Sequence, residues 1–284
     1  MGQAPHSSER GAPFSGPSHG GAPEETFAEA SAKELSLDLD EVFLSLQGEG
    51  GLLGRPQIFL RTGGCPIRCV YCDTPGSWTA KGRFKLHRRS HPIEENNPVT
   101  AARLNSLLKS LCQEANLPPQ ALVLAVTGGE PLQQHRFLAH WLPTWPGPVM
   151  LETAGIWPQR LEQLLPHLDY LSLDWKLPST VAEGKELLAP EACVEHLFES
   201  GLEGWVKIVV GGDTPFQELE KAVQYLAQHA RGLPVFLQPV TPKGSGGRVK
   251  APNSEQLLEW ALRFAEFPLD LRVQPQMHPV LGLR

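Results

Sequence analysis

Gly63-Gly64-Cys65-Pro66-Ile67-Arg68-Cys69-Val70-Tyr71-Cys72-Asp73-Thr74 packs three cysteines into one short loop at C-x3-C-x2-C spacing. Thiolates so spaced converge on one inorganic centre. A closed zinc or electron-transfer site needs a fourth ligand, and no cysteine or histidine follows at short range. His87 is the first histidine downstream, across an irregular basic stretch. Three ligands suit a [4Fe–4S] cluster that leaves one iron free for something other than protein. An open coordination position is reactive, so the loop points to catalysis. Spacing alone leaves a zinc knuckle with a distant fourth ligand as the alternative. With 5 cysteines in 284 residues, the chain is neither cysteine-dense nor evenly paired, which argues against a disulfide framework. Cys112 and Cys193 fall in predicted helices beside Leu108, Leu111 and Leu197, as small core residues.

Around this loop the chain alternates strand-like and helix-like stretches from Leu35 onward. Short apolar or alternating runs predict strands at Gln57–Thr62, Leu122–Thr127, Val149–Thr153, Tyr170–Trp175, Val206–Val210, Val235–Val240 and Leu271–Val273. Between them, Leu104, Leu107, Leu108 and Leu111 recur at one-face helical spacing after a Thr100 cap. Phe216, Leu219, Val223 and Leu226 do the same, as do Leu257, Leu258, Ala261 and Phe264. Repeated β–α alternation means parallel strands covered by helices, and a right-handed succession curls into a full or partial barrel. Active-site groups then collect at strand C-termini. The cysteine loop follows the strand that carries Arg61. Thr127-Gly128-Gly129-Glu130-Pro131, Glu152-Thr153-Ala154-Gly155, Asp174-Trp175-Lys176 and Gln238-Pro239 end later ones. Any one of these alone reads as a turn or a cap; their shared position makes a site.

Composition bounds the rest. Hydrophobic content of 41% and charged content of 20% describe a globular chain large enough for one sizeable α/β domain. A net charge of −6 argues against a broad nucleic-acid surface. Lys81-Gly82-Arg83-Phe84-Lys85-Leu86-His87-Arg88-Arg89 is basic and reads as a solvated loop. No apolar stretch is long enough to span a bilayer, and no secretory signal is visible, so a reducing cytoplasmic location is expected. Residues 1–34 are rich in Gly, Pro, Ser, Ala and Glu and read as a disordered tail.

The cysteine loop followed by Thr127-Gly128-Gly129-Glu130-Pro131 resembles the radical S-adenosylmethionine (SAM) superfamily, from about residue 38 to the C-terminus. Within it the chain resembles the 7-carboxy-7-deazaguanine synthase family of queuosine biosynthesis. The residues that carry this are Phe43-Leu44-Ser45-Leu46-Gln47-Gly48-Glu49-Gly50, Gly54-Arg55-Pro56, Phe59 to Cys65, Cys72-Asp73-Thr74 and Gln274-Pro275-Gln276-Met277-His278-Pro279. The resemblance implies a partial (β/α) barrel of the radical SAM type over residues 35–284, with a [4Fe–4S] cluster on Cys65, Cys69 and Cys72. SAM would bind the free iron and be cleaved to a 5′-deoxyadenosyl radical. That radical would abstract the C6 hydrogen of 6-carboxy-5,6,7,8-tetrahydropterin, and ring contraction with loss of ammonia would give 7-carboxy-7-deazaguanine. SAM would be re-formed.

The same resemblance distributes the site residues. Leu46, Gln47, Gly48, Glu49, Arg61, Thr127 and His278 are expected at the substrate, with the Gln47 amide and Glu49 carboxylate on the pterin's aminopyrimidinone edge and the Arg61 fork on its carboxylate. Tyr71, Cys72, Asp73, Gly129, Glu152, Thr153, Asp174, Trp175, Lys176 and Gln238 are expected around SAM. The family's stretch at Asp174-Trp175-Lys176 often reads Ser-Pro-Lys, so only the Lys is kept. Thr74 is expected to ligate Mg²⁺ through oxygen. An electron donor such as flavodoxin or ferredoxin and a homodimer complete the expectation. An activating enzyme that makes a glycyl radical on a partner protein shares the cysteine loop, but would leave Arg61 and the Gln47-Gly48-Glu49-Gly50 element without a small-molecule purpose. A zinc-stabilised binding module is the non-enzymatic rival, and the Gly128-Gly129-Glu130-Pro131 strand end weakens it.

Overall fold

The seven predicted strands lie side by side in sequence order, all parallel, within one ten-stranded sheet. The computed structural model describes residues 35–182, 190–241 and 249–284, so the expected tail at 1–34 lies outside the described residues. Strands in chain order are β1 (Ser36–Leu37), β2 (Leu39–Leu46), β3 (Pro56–Thr62), β4 (Arg83–His87), β5 (Pro92–Asn96) and β6 (Val99–Thr100). They continue with β7 (Val123–Gly128), β8 (Val149–Thr153), β9 (Tyr170–Asp174), β10 (Glu203–Val210), β11 (Pro234–Pro239) and β12 (Asp270–Val273). The α-helices are α1 (Ala101–Ala115), α2 (His135–Trp141), α3 (Pro158–Glu162), α4 (Pro190–Ser200), α5 (Phe216–His229), α6 (Ser254–Phe264) and α7 (His278–Leu281). The sheet order is β12-β11-β10-β9-β8-β7-β3-β2-β4-β5, and β1 pairs with β6 apart from it. β12 and β5 are the two ends of that order, so the sheet is an incomplete barrel.

Period-two alternation gives the sheet two apolar faces. On the helix side, Leu60, Leu124, Val126, Leu151, Leu171, Leu173, Val206 and Ile208 join the main core with Leu104 and Leu108 of α1 and Leu219 and Val223 of α5. On the other face Phe43, Phe59, Val123, Ala125, Met150, Trp205 and Phe236 form a smaller apolar layer. Two residues further along each parallel strand, the same face turns polar: Phe59 is followed by Arg61, Ala125 by Thr127, Met150 by Glu152, Trp205 by Lys207 and Phe236 by Gln238. The inner apolar layer therefore floors a polar cavity built from strand C-termini.

Three expectations change. Arg83–His87 is a strand, not a solvated loop: Phe84 and Leu86 alternate inward while Arg83 pairs with Glu94 of β5 at 2.9 Å. β2 runs antiparallel to β3 and places Glu41 opposite Arg61 in register. On α6 Leu258 is 59% exposed and Trp260 is buried, while Phe264 is buried and Leu257 packs against the core as expected. Thr100 caps α1 as expected, accepting from the Arg103 backbone N–H at 3.3 Å. Among the described residues no helix is long and apolar enough to cross a membrane.

Candidate active site

A cavity of about 430 Å³ opens over the polar ends of the strands, and the three cysteines and Arg61 line it. The cysteine loop is fixed by its backbone. Gly64 and Cys65 N–H donate to Ser77 and Trp78 carbonyls at 2.8 and 3.1 Å, and Val70 N–H donates to Thr180 at 2.9 Å. The Arg68 guanidinium lies 5.0 Å from the Trp78 ring and donates to the carbonyls of Cys65 and Ile67. Among the described residues no three His, Cys, Asp or Glu side chains are gathered as a single metal ion requires. Three thiols spread round one cavity suit a cluster in which each thiolate meets a different iron. Burial pushes the Cys65 thiol up to about 11 and also raises Cys69, and a bound cation would favour their thiolates. Cys112 and Cys193 are core residues on α1 and α4, as expected.

Opposite this loop the Gly128-Gly129 pair ends β7. A Cβ at Gly129 would lie 2.1 Å from the Gly64 carbonyl oxygen, and one at Gly128, where φ is +122°, would lie 2.3 Å from Thr62 N. The pair thus lets two backbone segments meet, and so seats the cysteine loop on the sheet. Glu130 is buried beneath it, accepting from Thr153 Oγ1 at 2.6 Å, Ala154 N at 2.9 Å and Leu132 N at 3.0 Å. Burial raises its carboxyl above the usual range, against the pull of those donors. Thr153 is committed to this bond, although it borders the cavity.

At the centre of the site, Lys207 of β10 is 4% exposed and bridges three carboxylates. It contacts Glu152 at 2.5 Å, Asp174 at 3.1 Å and Glu49. Asp174 also pairs with Lys176 at 2.6 Å, and Glu152 accepts from Thr127 Oγ1 at 3.0 Å. Burial alone would lower the pKa of Lys207; Asp174, Glu152 and Glu49 more than offset it and hold the ammonium well above the ordinary lysine value. Burial likewise opposes ionisation of Asp174, and Lys176 and Lys207 outweigh it, so its carboxyl lies below the usual value.

Arg61 donates through Nε to Glu41 at 2.9 Å, and no described residue hydrogen-bonds its two terminal nitrogens. Glu41 is in turn held by His87 Nε2 at 2.9 Å and by Arg284 at 2.8 Å. Phe43 and Phe59 stack at 4.9 Å beside it, a flat apolar floor.

The Gln47–Gly50 turn is closed by the C-terminal segment. Met277 N–H donates to the Gly48 carbonyl at 3.0 Å, and Gln274 bonds Gly50 through both its amide atoms. A Cβ at Gly48 would lie 2.7 Å from His278 Nδ1, and one at Gly50 (φ +65°) 2.2 Å from Trp205 Nε1, so neither position admits a side chain. Gln276 spans three elements, donating to Glu49 at 2.8 Å and Asp73 at 3.2 Å and accepting from Thr241 at 2.5 Å.

Nearly all the expected residues line this cavity: Leu46, Gln47, Gly48, Glu49, Arg61, Cys65, Cys69, Tyr71, Cys72, Asp73, Thr74, Thr127, Gly129, Glu152, Thr153, Asp174, Lys176, Gln238 and His278. Trp175 is the exception. It follows Asp174 by one residue, so alternation turns its indole into the helix-side core, 5.5 Å from Tyr225 of α5. Gln47 departs from its expected use as well. Its carbonyl accepts from Gly48 and Glu49 N–H at 2.8 and 3.2 Å and its NH₂ donates to Gln57 at 3.2 Å, so the amide shapes the turn. The buried Gln238 Oε1 has no hydrogen-bond partner among the described residues, as an atom that meets a ligand donor would. Lys207, Glu41 and Arg284 were not singled out from the sequence, and Gln276 was quoted in a motif without a role of its own. Lys207 left one trace, a lone charge inside the apolar run Trp205-Val206-Lys207-Ile208-Val209-Val210.

No family model matches the sequence, but individual relatives do. Over 250 residues the chain is 34% identical to the 7-carboxy-7-deazaguanine synthase of Geobacter sulfurreducens, covering 86% of this chain and 97% of that protein. The 7-carboxy-7-deazaguanine synthase of Methanopyrus kandleri is 33% identical, with 86% and 93% covered. In fold, the chain matches the crystal structure of QueE from Escherichia coli with a TM-score of 0.50, across 84% of this chain and 94% of that one, at 19% identity. Identity above 30% across almost the whole length of the Geobacter and Methanopyrus proteins places this radical SAM chain in the 7-carboxy-7-deazaguanine synthase family.

Proposed function

We propose that residues 35–284 form a catalytic domain that converts 6-carboxy-5,6,7,8-tetrahydropterin to 7-carboxy-7-deazaguanine with loss of ammonia, a carbon–nitrogen lyase step toward queuosine. The observation that carries this reading is one cavity lined both by the three thiols and by Arg61. An activating enzyme would have to admit a segment of a partner protein there. The turn at Gln47–Gly50, tied down by Gln274 and Gln276, instead suits a small ligand.

Cys65, Cys69 and Cys72 would hold the cluster, and Tyr71, Asp73, Gly129, Lys176 and Gln238 would surround SAM. When bound, cluster and SAM supply one-electron chemistry that removes a hydrogen from the substrate, while the protein orients that substrate and excludes side reactions. Glu41 fixes the Arg61 guanidinium by Nε and leaves its terminal nitrogens for a carboxylate. The Phe43–Phe59 floor offers stacking to a flat bicycle. Glu49, expected at the substrate, and Glu152, expected at SAM but joined to Glu49 through Lys207, present acceptor oxygens that match the N–H groups of an aminopyrimidinone. Thr74, two residues beyond Cys72 on the cavity wall, offers its hydroxyl to Mg²⁺. Electron supply by a flavodoxin or ferredoxin, a homodimer and a cytoplasmic setting complete the reading, on the strength of the resemblance.

Anaerobic incubation with the pterin, SAM and a reductant tests it: the deazapurine chromophore is expected, and SAM consumption without that product would overturn it. Arg61→Lys keeps the charge but loses the fork. One charge-assisted bond of about 1.5–3 kcal/mol is forfeited, so KM should rise roughly 10- to 100-fold with cluster content unchanged. Unaltered KM would give Arg61 another task. Thr74→Val should abolish stimulation by Mg²⁺ at low substrate while SAM cleavage persists. A variant stimulated as strongly as the parent would move the metal elsewhere.

A further inference from the structure

Lys207 is an expensive residue for the fold. It sits inside an otherwise apolar strand, and burying an ammonium among carboxylates is seldom more stabilising than an apolar residue of similar volume. Its position explains its presence. It occupies the inner face of β10, one layer above Trp205, in register with Asp174 on β9 and Phe236 on β11. Charges reach it from β8 (Glu152), from β9 and the residues just after it (Asp174, Lys176) and from the turn after β2 (Glu49).

The three carboxylates are not equivalent. Asp174 is spent on cations, with Oδ2 on Lys176 and Oδ1 on Lys207. Glu49 and Glu152 each give Lys207 one oxygen and give the other to a neutral donor, Gln276 Nε2 and Thr127 Oγ1 respectively. An ionised carboxylate has about four acceptor directions, so both retain free lone pairs on the cavity wall. Two carboxylates on one nitrogen would repel each other without the ammonium between them.

We infer that Lys207 is a positioning residue that sets substrate specificity: by bridging Glu49 and Glu152 it presents a paired, acceptor-only wall that selects ligands with a 2-amino-pyrimidin-4-one edge over those with a carbonyl at that position. The inference rests on the functional reading above. Without the ammonium the two like charges push apart, and the paired acceptors no longer face the ligand's N–H groups together.

Equilibrium binding to the reconstituted, SAM-loaded full chain tests this, with 6-carboxypterin and 6-carboxylumazine (2-oxo in place of 2-amino) as fluorescent probes. The parent should prefer the pterin by about 100-fold, since a polar site rejects a mismatched edge strongly. Lys207→Met should reduce that preference to about threefold or less. Lys207→Arg should rescue the preference. If Lys207→Met does not fold, Lys207→Gln, with a donor but no charge, is read the same way. A charge-free variant that keeps the parent's preference makes Lys207 merely structural and overturns the inference alone. A parent that binds neither probe overturns the functional reading and the inference together.

Discussion

Alanine at Cys65, Cys69 or Cys72 is expected to abolish cluster assembly, and with it all SAM cleavage. The three thiols border one cavity and the loop that carries them is pinned by bonds from Gly64, Cys65 and Val70, so each lost thiolate leaves one iron without its protein ligand. Cys112 and Cys193 cannot serve either, since both are shut in the helix-side core. Anaerobically reconstituted parent should hold about four irons and four sulfides per chain, and each alanine variant close to none. Cys112→Ala should keep the full complement. Cys193→Ala should keep it as well, losing only the thiol's bond to the Gly155 carbonyl, about 1 kcal/mol. A full cluster in any of the three loop variants, or its loss in Cys112→Ala, would refute the three-ligand assignment.

The parallel part of the sheet was legible because a fully buried strand writes itself as a short apolar run. Val149–Thr153 matches its predicted bounds, and the other six predicted strands are found within a few residues of theirs. β2 was harder to see. Leu39-Asp40-Glu41-Val42-Phe43-Leu44-Ser45-Leu46 mixes two acids with apolar residues, because its inner face lines the cavity and changes from Glu41 to Phe43 along one strand. β4 was hidden by its basic residues, though Arg83-Phe84-Lys85-Leu86-His87 alternates as a half-buried strand must. On α6 the pattern of Leu257, Leu258, Ala261 and Phe264 took in one exposed leucine, Leu258, and passed over Trp260, which its place in the core shows to be covered.

The site divides along the same line. Residues in a motif, or at the very end of a strand, were found: Arg61, Thr127, Glu152, Asp174, Lys176 and Gln238 all reach the cavity. Trp175 was counted with its neighbours, but strand alternation puts it on the opposite face. Glu41 and Lys207 were missed for a shared reason. Each lies within a strand, and its importance comes from the register that sets it against Arg61 or Asp174, which one sequence does not state. Gln276 belongs to a quoted motif, yet its contacts to Glu49, Asp73 and Thr241 join three distant segments.

Gly129→Ala should be a severely damaging single methyl. The added carbon would lie 2.1 Å from the Gly64 carbonyl oxygen, 2.7 Å from Gly64 C and 2.9 Å from the Ser77 carbonyl oxygen. All three are backbone atoms, with no flexible side chain to yield. Relief requires β7 and the cysteine loop to part, which breaks the Glu130 N–H bond to Gly64 at 2.9 Å and strains the Gly64 N–H bond to Ser77 at 2.8 Å. Overpacking of this kind costs about 1–3 kcal/mol, and each ruptured buried bond adds about 1 kcal/mol more. A total near 4 kcal/mol is a large share of a domain's net stability of about 5–15 kcal/mol. The damage is also directed, because Cys65 follows Gly64 and moves with it. The variant should melt well below the parent, and even at low temperature, where it remains folded by circular dichroism, it should take up less than a full set of irons. Gly82→Ala is the control: a Cβ there meets nothing within 4 Å, and both melting temperature and iron content should match the parent. A Gly129→Ala protein with the parent's stability and iron content would show that the strand end and the cysteine loop are not in the contact that seats the cluster.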